Sequence, residues 1–200
     1  MQSKHLRQDM SFKAMKKAMD SYWPIPPTTW DVICSISTDH SLIKGEKLYS
    51  SGEVPCSFAF VYQGLFRSFI TNEQGQEYNK IFFDEGTFPG AMTALLTSTE
   101  SNFTIQALED SSVIKINFAA FRQLLKEDHG LALFHINYLE QNWLLAKEAR
   151  EIQIVQENAE QRYRRFIINH ASISARIPQY HIASHLGITA TQLSRIRKKS

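Results

Sequence analysis

Hydrophobic residues follow a helical spacing in the first 23 residues, which predicts an amphipathic helix. Its apolar side carries Leu6, Met10, Ala14 and Ala18, with Met15 and Met19 beside them, and its opposite side carries Lys13, Lys16 and Lys17. We expect this helix to pack on its own protein; the alternative is a helix that lies on a membrane surface. Prolines at positions 24, 26 and 27 end the helix, and Thr28 or Thr29 is expected to cap a short helix through residues 30–34.

A second pattern extends from residue 41 to about residue 116, where short apolar segments alternate with turns that contain glycine. The expected strands are residues 44–49, 57–62, 65–70, 77–83, 103–107 and 112–116. Strands of this length at such regular spacing are typical of an antiparallel sandwich or roll. Residues 88–98 interrupt the pattern and predict a turn followed by a short helix.

Helical spacing returns at Asn117, which is expected to cap a helix through Leu125. A further helix without a breaker runs from Gly130 to about Gln156, a length of ~40 Å at the helical rise. One apolar stripe of this helix contains Ile136, Leu139, Trp143 and Ala146, and the other contains Leu131, Tyr138, Leu145 and Ile152. Because a surface helix needs only one apolar face, one stripe is expected to pack on the strands and the first stripe to form a homodimer. The alternative is a helix buried in a monomer, which a domain this small could hardly surround.

Residues 179–198 predict two short helices joined by one tight turn. Ile182, Ala183 and Leu186 form the apolar face of the first helix, and the small Ala183 is expected where the two helices cross. Gly187 is expected to end the first helix, because glycine takes a left-handed conformation without a Cβ clash.

The second of these helices is expected to begin with a capping box between Thr189 and Gln192 and to bury Leu193 and Ile196. Its outer face carries hydrogen-bond donors and no carboxylate: Thr191, Gln192, Ser194, Arg195, Arg197, Lys198 and Lys199. Such a face suits a helix that enters the DNA major groove, so the pattern predicts a helix-turn-helix. The alternative is a basic helical hairpin that packs on its own domain.

The distribution of charge favours DNA binding by one part of the chain only. The net charge of the whole chain is +2, but residues 158–200 contain eight lysines and arginines against one acid, Glu160. The remaining residues therefore carry a net charge of −5. A basic module joined to an acidic one is typical of a protein in which one module binds phosphate.

Composition excludes several other classes of protein. With 43% apolar and 12% aromatic residues, a hydrophobic core can form, so disorder is not expected. The longest apolar runs fall short of the roughly 20 residues of a membrane span, and the N-terminus lacks the apolar block of a signal peptide. Cys34 and Cys56 have no metal-binding spacing. We therefore expect a cytoplasmic protein with no membrane partner.

An enzyme is not expected either. None of the seven histidines lies between residues 41 and 128, so the predicted strands cannot hold a histidine-based metal site. His181 and His185 are four residues apart but lack the glutamate of a zinc-protease motif, and they are expected to face DNA phosphate or solvent. The sequence contains no nucleophile elbow and no phosphate loop. No catalytic residue, metal or cofactor is therefore predicted.

The order of strands, long helix and basic helix-turn-helix resembles the Crp/Fnr superfamily of bacterial transcription regulators. The matching pieces are residues 44–46, 61–67, 75–77, 82–86, 106–110, 177–179 and 193–197. The resemblance implies an α+β fold with a cyclic-nucleotide-binding-like antiparallel β-roll and N-terminal helices in residues 1–129. It further implies a dimerisation helix at 130–157 and a helix-turn-helix domain at 158–200, with DNA binding controlled by an effector in the roll.

The aligned effector pocket departs from the family pattern. Its positions are Phe88, Gly90, Ala91, Met92, Ser101 and Asn102. Relatives that bind cyclic AMP have a Gly-Glu pair and an Arg-Ser pair there, whereas Ala91 replaces the glutamate and no arginine accompanies Ser101. We expect no binding of cyclic AMP, because a buried phosphate would lack its cation. Two cysteines cannot supply the four ligands of an iron–sulfur cluster, and a haem-bound effector is left open.

The predicted DNA-binding residues also depart from the family. They are Gln179, Thr189, Thr191, Gln192, Ser194, Arg195, Arg197, Lys198 and Lys199. Ala190 and Thr191 replace an early Arg-Glu pair and only Arg195 matches, so a different half-site is expected. The sequence ends at Ser200, where many relatives continue into a β-hairpin wing, so weaker binding is expected.

The expected partners are double-stranded DNA with a two-fold operator, a second copy of the chain, a small-molecule effector of unknown identity and RNA polymerase. The alternative function is a cyclic-nucleotide-binding-like module for ligand sensing or protein interaction, with weak or lost DNA binding.

Overall fold

The computed structural model of the chain describes residues 2–147 and 156–199, with side chains from residue 9 onward. The helices are α1 (Gln2–Asp20), α2 (Pro27–Ser35), α3 (Met92–Thr97), α4 (Phe118–Glu127), α5 (His129–Leu139), α6 (Ala159–Asn169), α7 (Gln179–Leu186) and α8 (Ala190–Lys199). The strands are β1 (Ser37–Leu42), β2 (Lys47–Tyr49), β3 (Ser57–Gln63), β4 (Phe66–Thr71), β5 (Glu77–Phe83), β6 (Thr104–Ala107) and β7 (Ser111–Asn117).

The strands form two antiparallel sheets, with the orders β1-β7-β3 and β2-β6-β4-β5. Between the sheets lies an apolar core of Leu42, Leu48, Tyr49, Ala59, Val61, Phe66, Ile105, Ala107 and Val113. This arrangement confirms the predicted α+β fold and antiparallel roll. We call β1–β7 with α3 the roll.

One strand was absent from the sequence prediction. β1 begins at Ser37, before the expected start of the strands at residue 41, and pairs along its whole length with β7. Its residues from Thr38 to Ser41 are exposed, so the strand shows no alternation of apolar and polar positions. Because β1 is an edge strand, backbone pairing rather than burial of side chains defines it.

The second core lies where the N-terminal helices and α4 and α5 cover the β1-β7-β3 sheet. Its largest members include Met15, Met19, Phe58, Phe60, Ile114 and Leu131. The predicted apolar side of α1 is wrong in part, because Met10 is 55% exposed while Met15 and Met19 are fully buried. The long methionine side chains fill the space against the sheet, and this packing sets the rotation of the helix.

The expected threonine cap of α2 is also wrong. The helix begins at Pro27 after Pro26, and no side chain caps it. Proline fits the first turn without a cap because its φ is already helical and it has no N–H group to satisfy. Thr29 instead donates its hydroxyl to Asp128, the residue whose side chain caps α5 through the Leu131 N–H at 2.7 Å.

Asn117 caps α4 as predicted, since its side chain accepts a hydrogen bond from the Ala120 N–H at 2.9 Å. The next helix, α5, passes into a π-helical segment at Glu140–Leu144 and is helical through residue 147. The predicted helix from residue 130 to 156 is therefore followed only to residue 147, and Ile152 lies outside the described residues.

The π-helical segment alters the two predicted stripes. One extra residue in a helical turn rotates the following residues by about 100°. Leu145 of the second stripe, which follows this segment, is accordingly 60% exposed. Leu139 of the first stripe, which precedes the segment, is half-buried. Ile136, Trp143 and Ala146 of the first stripe are exposed, as the dimer prediction requires.

Helices α6, α7 and α8 form the C-terminal unit, which we define as residues 158–199. Its core contains Phe166, Ile173, Ile177, Ile182, Ala183, Leu186 and Leu193, and two residues of the roll, Leu65 and Phe82, complete it. The unit therefore packs directly on strands β4 and β5. Among residues 2–147 and 156–199, no helix is long and apolar enough to cross a membrane.

Candidate DNA-binding surface and effector pocket

The turn between α7 and α8 has the geometry that its sequence predicts. Gly187 follows α7 with φ of 66°, in the left-handed region, and its N–H donates to the Ser184 carbonyl at 3.2 Å. At the start of α8, the Gln192 N–H donates to Thr189 Oγ1 at 3.1 Å, and the Thr189 N–H donates to Gln192 Oε1 at 2.9 Å. These reciprocal bonds are a capping box, which satisfies two backbone donors at the helix start.

The apolar residues predicted for this motif hold α7 and α8 together. Ile182, Ala183 and Leu193 are 1–2% exposed. Leu186 is also buried, and Ile196 is half-buried. Because these residues fix α8 from its inner side, its outer side is presented in one orientation.

All the predicted DNA-binding residues lie at the surface. Exposed side chains belong to Gln179, Thr189, Thr191, Gln192, Ser194, Arg195, Arg197, Lys198 and Lys199. Thr189 and Gln192 also form the capping box, so each uses a side-chain oxygen within the helix itself. The structure therefore groups Thr191, Ser194 and the four cations on α8 and places Gln179 at the start of α7.

Positive charge in the C-terminal unit is divided between two uses. Four arginines contact groups within the molecule: Arg162 donates to backbone carbonyls, Arg164 pairs with Glu160, Arg165 pairs with Glu157, and Arg176 pairs with Glu85 and Glu109. The other four cations are the exposed Arg195, Arg197, Lys198 and Lys199 of α8. The excess charge that the sequence showed is thus concentrated on one helix.

The expectation that His181 and His185 face DNA or solvent is wrong. His181 is 5% exposed, and its Nδ1 lies 3.2 Å from Arg67 Nη1 and 3.1 Å from Asn79 Nδ2 of the roll. Burial, together with the charge of Arg67, lowers the pKa of His181 to about 4. His185 is half-buried, with its ring 5.4 Å from the rings of Phe82 and Phe166. The roll covers this side of α7, which helical spacing alone does not reveal.

Arg176 is a contact between the two parts of the molecule that sequence reasoning missed. It donates to both carboxylate oxygens of Glu85, at 2.8 and 2.9 Å, and also pairs with Glu109. Burial alone would raise the pKa of Glu85, but hydrogen bonds from Arg176 and the Gly64 N–H outweigh it and lower the pKa to about 2. The two carboxylates raise the pKa of Arg176 above its ordinary value. No local motif marks an arginine for such a role.

The structure places the six predicted residues of the effector pocket in different surroundings. Phe88 and Met92 line a crevice beside α5, whereas Ala91 is fully buried and Asn102 is exposed. Ser101 is 3% exposed and donates its hydroxyl to the Phe103 carbonyl at 2.7 Å, in a turn joined to residues 52 and 53. Gly90 approaches β3 so closely that an added Cβ would lie 2.8 Å from Phe58 Cβ. Gly90 and Ala91 therefore pack into the wall of the roll.

The crevice itself is small and apolar. It has a volume of about 30 Å³, enough for one or two waters, and its wall consists of Phe58, Phe88, Met92, Phe121, Phe134, His135, Tyr138, Leu139 and Trp143. Burial and nearby Arg122 lower the pKa of His135, and burial with Tyr22 raises that of Tyr138 to about 12. Both side chains are therefore uncharged at neutral pH. The sequence assigned Leu139 and Trp143 to the dimer face only.

Residues of the roll match a known domain family, and solved structures share the architecture of the chain. The cyclic nucleotide-binding domain family matches residues 40–128. The structure is similar to that of FixK2 from Bradyrhizobium japonicum, with a TM-score of 0.70 and 18% identity over 82% of this chain and 84% of that chain. It is also similar to the c-di-GMP responsive global regulator CLP of Xanthomonas campestris, with a TM-score of 0.70 and 15% identity over 87% and 91% of the two chains.

A third similar structure is a putative transcriptional regulator of the Crp/Fnr family from Eubacterium rectale, with a TM-score of 0.61 and 19% identity over 90% and 87% of the two chains. At these identities the likeness concerns the fold. Among curated protein sequences, none matches this chain.

Proposed function

We propose that this chain, which contains a cyclic nucleotide-binding domain and has the fold of Crp/Fnr transcription regulators, is a homodimeric, DNA-binding regulator of that type. It would act in the cytoplasm and respond to an effector other than cyclic AMP. The observation that carries the proposal is the outer face of α8, where exposed donors stand on a capped helix without a single acid.

DNA recognition requires contacts with base edges, which read the sequence, and contacts with phosphates, which supply affinity. The four exposed cations of α8 and its short polar residues suit both kinds of contact. Arg195 lies in the middle of the exposed face, where a guanidinium can contact a guanine with two hydrogen bonds. Thr191 and Ser194 flank it for contacts with neighbouring bases or phosphates. Arg197, Lys198 and Lys199 at the helix end would neutralise phosphate and set the affinity for any DNA sequence.

A homodimer is supported by the apolar side chains exposed on α5 and its extension. Ile136 is 50% exposed, Trp143 48%, Leu144 64% and Leu145 60%. Complete burial of a fully exposed side chain of this kind contributes roughly 1.5–3 kcal/mol, and about half of that is available for each of these, so a second copy packed against them would be favoured. Sedimentation of the full chain at micromolar concentration should give a dimer, and the double variant Leu144→Glu/Leu145→Glu should give a monomer. A monomeric wild type contradicts this part of the proposal.

The proposal that the effector is not cyclic AMP is supported by the lack of a cationic side chain for the phosphate of cyclic AMP. The sequence contains no lysine or arginine between Lys80 and Lys115, the region that includes all six predicted pocket residues. Ser101 is engaged in its own turn, and apolar side chains fill the space between the two sheets. A cyclic phosphate would lose a charge-assisted hydrogen bond of about 1.5–3 kcal/mol. Calorimetry with cyclic AMP should therefore show no saturable heat in the micromolar range.

Selection of genomic DNA fragments by the purified full chain tests DNA recognition. We expect an enriched two-fold motif whose half-site centres lie about one helical turn apart, or a multiple of that distance. Arg195→Ala should weaken binding to that motif by about 1–3 kcal/mol and relax the preference at one base pair in each half-site.

The matched control is Lys126→Ala, which removes one exposed cation from α4 and should leave the motif unchanged. If no motif is enriched at moderate salt, or if Arg195→Ala behaves like the control, the chain is a ligand-sensing or protein-interaction module instead.

A further inference from the structure

The C-terminal unit is attached to the roll by hydrogen bonds as well as by apolar contact. β5 is the last strand of its sheet, so one edge of its backbone has no neighbouring strand in the part of the chain that the structure describes. Ser184 of α7 lies against this edge: its Oγ accepts from the Asn79 N–H at 3.0 Å and donates to the Glu77 carbonyl at 2.8 Å. The first helix of the motif therefore covers the sheet edge, and the arrangement is a defined docked state.

His181, one turn before Ser184, faces two hydrogen-bond donors through a single ring nitrogen. Arg67 Nη1 lies 3.2 Å and Asn79 Nδ2 lies 3.1 Å from its Nδ1. The Asn79 amide cannot be reversed without loss, because its Nδ2 also donates to the His181 carbonyl at 3.3 Å and its Oδ1 accepts from Arg67 at 3.3 Å. Nδ1 of His181 must therefore be an acceptor, so the docked site fits only the neutral imidazole.

The donors cannot move aside easily if the imidazole gains a proton. Arg67 is 5% exposed, and Gln106 Oε1 accepts from its Nε at 3.0 Å and its Nη2 at 2.7 Å. Glu77 accepts from its Nη1 at 2.5 Å. A guanidinium offers no acceptor and stays charged. A protonated His181 would therefore point its Nδ1–H at two donors, Arg67 Nη1 and Asn79 Nδ2, and would place a second positive charge beside that of Arg67.

We propose that His181 is a proton-sensitive latch, whose neutral imidazole holds the C-terminal unit on the roll and whose protonation releases the unit. The release frees α7 from β5 and changes the position of α8 relative to the roll. This inference concerns the docking of the two parts and does not depend on DNA binding.

Burial is the largest cause that disfavours protonation of His181, and the charged groups around it act in opposite directions. Arg67 of β4 opposes protonation, Glu77 of β5 partly offsets it, and Tyr180 and His185 are the titratable neighbours on α7 itself. Docking lowers the pKa of His181 from its ordinary 6.5 to about 4. Its contribution to docking is thus complete above the ordinary pKa and is lost as the pH falls from 6.5 towards 4.

Two other titratable contacts lie in the same interface. His170 lies beside Phe82 and Phe166, and burial lowers its pKa. Acid therefore weakens docking at this contact as it does at His181. The pairing of Arg176 with Glu85 behaves differently, because the pKa of Glu85 is lowered from 4.5 to about 2. Its contribution is lost only as the pH falls through that lower range, so the two contacts titrate in separate windows.

Amide hydrogen exchange of the full chain, followed by NMR, measures the latch directly. The reporter is the Asn79 N–H, which bonds to Ser184 only in the docked state, and the amides of β3 and β7 report whether the roll stays folded. After correction for intrinsic exchange, protection of Asn79 should fall roughly 30-fold between about pH 7.5 and about pH 5, while β3 and β7 keep theirs. In His181→Gln, which cannot gain the charge, this roughly 30-fold part of the fall should disappear, so that only the part contributed by His170 remains.

His185→Gln is the matched control, because it removes the other histidine of α7 and should keep the fall. The proposal is overturned if Asn79 protection in the wild type is constant over this range, if His181→Gln shows the same fall, or if His185→Gln abolishes it. If His181→Gln does not dock at any pH, titration of the His181 ring in the wild-type chain decides the question. A pKa well below 6.5 supports the latch, and a pKa of 6.5 or above overturns it.

Discussion

The two helices of the motif, α7 and α8, are neighbours of similar length, yet the molecule uses their polar residues in opposite ways. On α7, His181 and Ser184 bond to the roll and are withdrawn from any outside partner. On α8, Ser194 and Arg195 are exposed. The comparison teaches that a polar helix face indicates a binding surface only when no neighbouring element of the same chain uses its groups.

Loss of the apolar contact beneath α7 should have the largest effect. Phe82 is 4% exposed and its ring lies 6.0 Å from that of Phe166 and 5.4 Å from that of His185. Phe82→Ala should therefore lower the free energy of unfolding by about 3–5 kcal/mol, through lost burial and the cavity left behind. Urea denaturation measures the change. Ile81→Ala, at a neighbouring position that is 40% exposed, is the control and should cost much less.

A pair of serine variants tests the contrast between the helices directly. Ser184→Ala leaves the Asn79 N–H and the Glu77 carbonyl without their partner, so docking should weaken by about 1–3 kcal/mol. Ser194→Ala on the exposed face of α8 should change stability by no more than about 0.5 kcal/mol. Hydrogen exchange of the β5 amides and urea denaturation measure both variants. Equal effects would mean that α7 is not docked in solution.

The start of α8 offers a smaller, local test. Thr189→Ala removes the oxygen that accepts from the Gln192 N–H, and loss of such a cap costs about 0.5–2 kcal/mol. We expect the first turn of α8 to fray while α7 remains protected, which hydrogen exchange can resolve. Thr189→Ser keeps the accepting oxygen and should retain most of the stability. A Thr189→Ala variant that loses protection along α7 as well would contradict the separation of the two helices.

The smallest expected effect concerns a single phosphate contact. Lys198→Ala should weaken binding to all DNA sequences alike and reduce the slope of affinity against salt concentration by about one unit on logarithmic axes. Filter binding at several salt concentrations measures the slope. An unchanged slope, or a loss confined to one sequence, would remove Lys198 from the phosphate-binding face. Lys126→Ala again serves as the control from α4.

The helix-turn-helix was predictable in detail because short-range interactions define it. Gly187 ends α7 through bonds to residues three and four positions earlier, and Thr189 and Gln192 are three residues apart. Asn117 caps α4 in the same way. Interactions of this kind are visible as spacings in the sequence. The strands from β3 to β5 were visible as short apolar segments separated by turns that contain glycine.

The predicted effector pocket depends on contacts that spacing along the chain does not show. Its residues were aligned by family resemblance, but the structure gives Phe88 and Met92 to one crevice and Ser101 to a separate turn. The other walls of that crevice come from β3, α4, α5 and the π-helical segment, whose residues the sequence pattern could assign only to a strand, a core or a dimer face. A pocket is formed by elements that meet in space, so spacing along the chain does not define it.

The sequence alone determined the caps of α4 and α8, the turn glycine, the donor face of α8 and the antiparallel roll, since each depends on residues that are close along the chain or on a repeated period. Only the tertiary structure decided which face of α7 is covered, which side of α1 is buried and what Arg176 binds. Asn79 and Ser184 are 105 positions apart, and Arg176 and Glu85 are 91 apart. Contacts over such separations arise from packing of whole elements, and no local pattern encodes them.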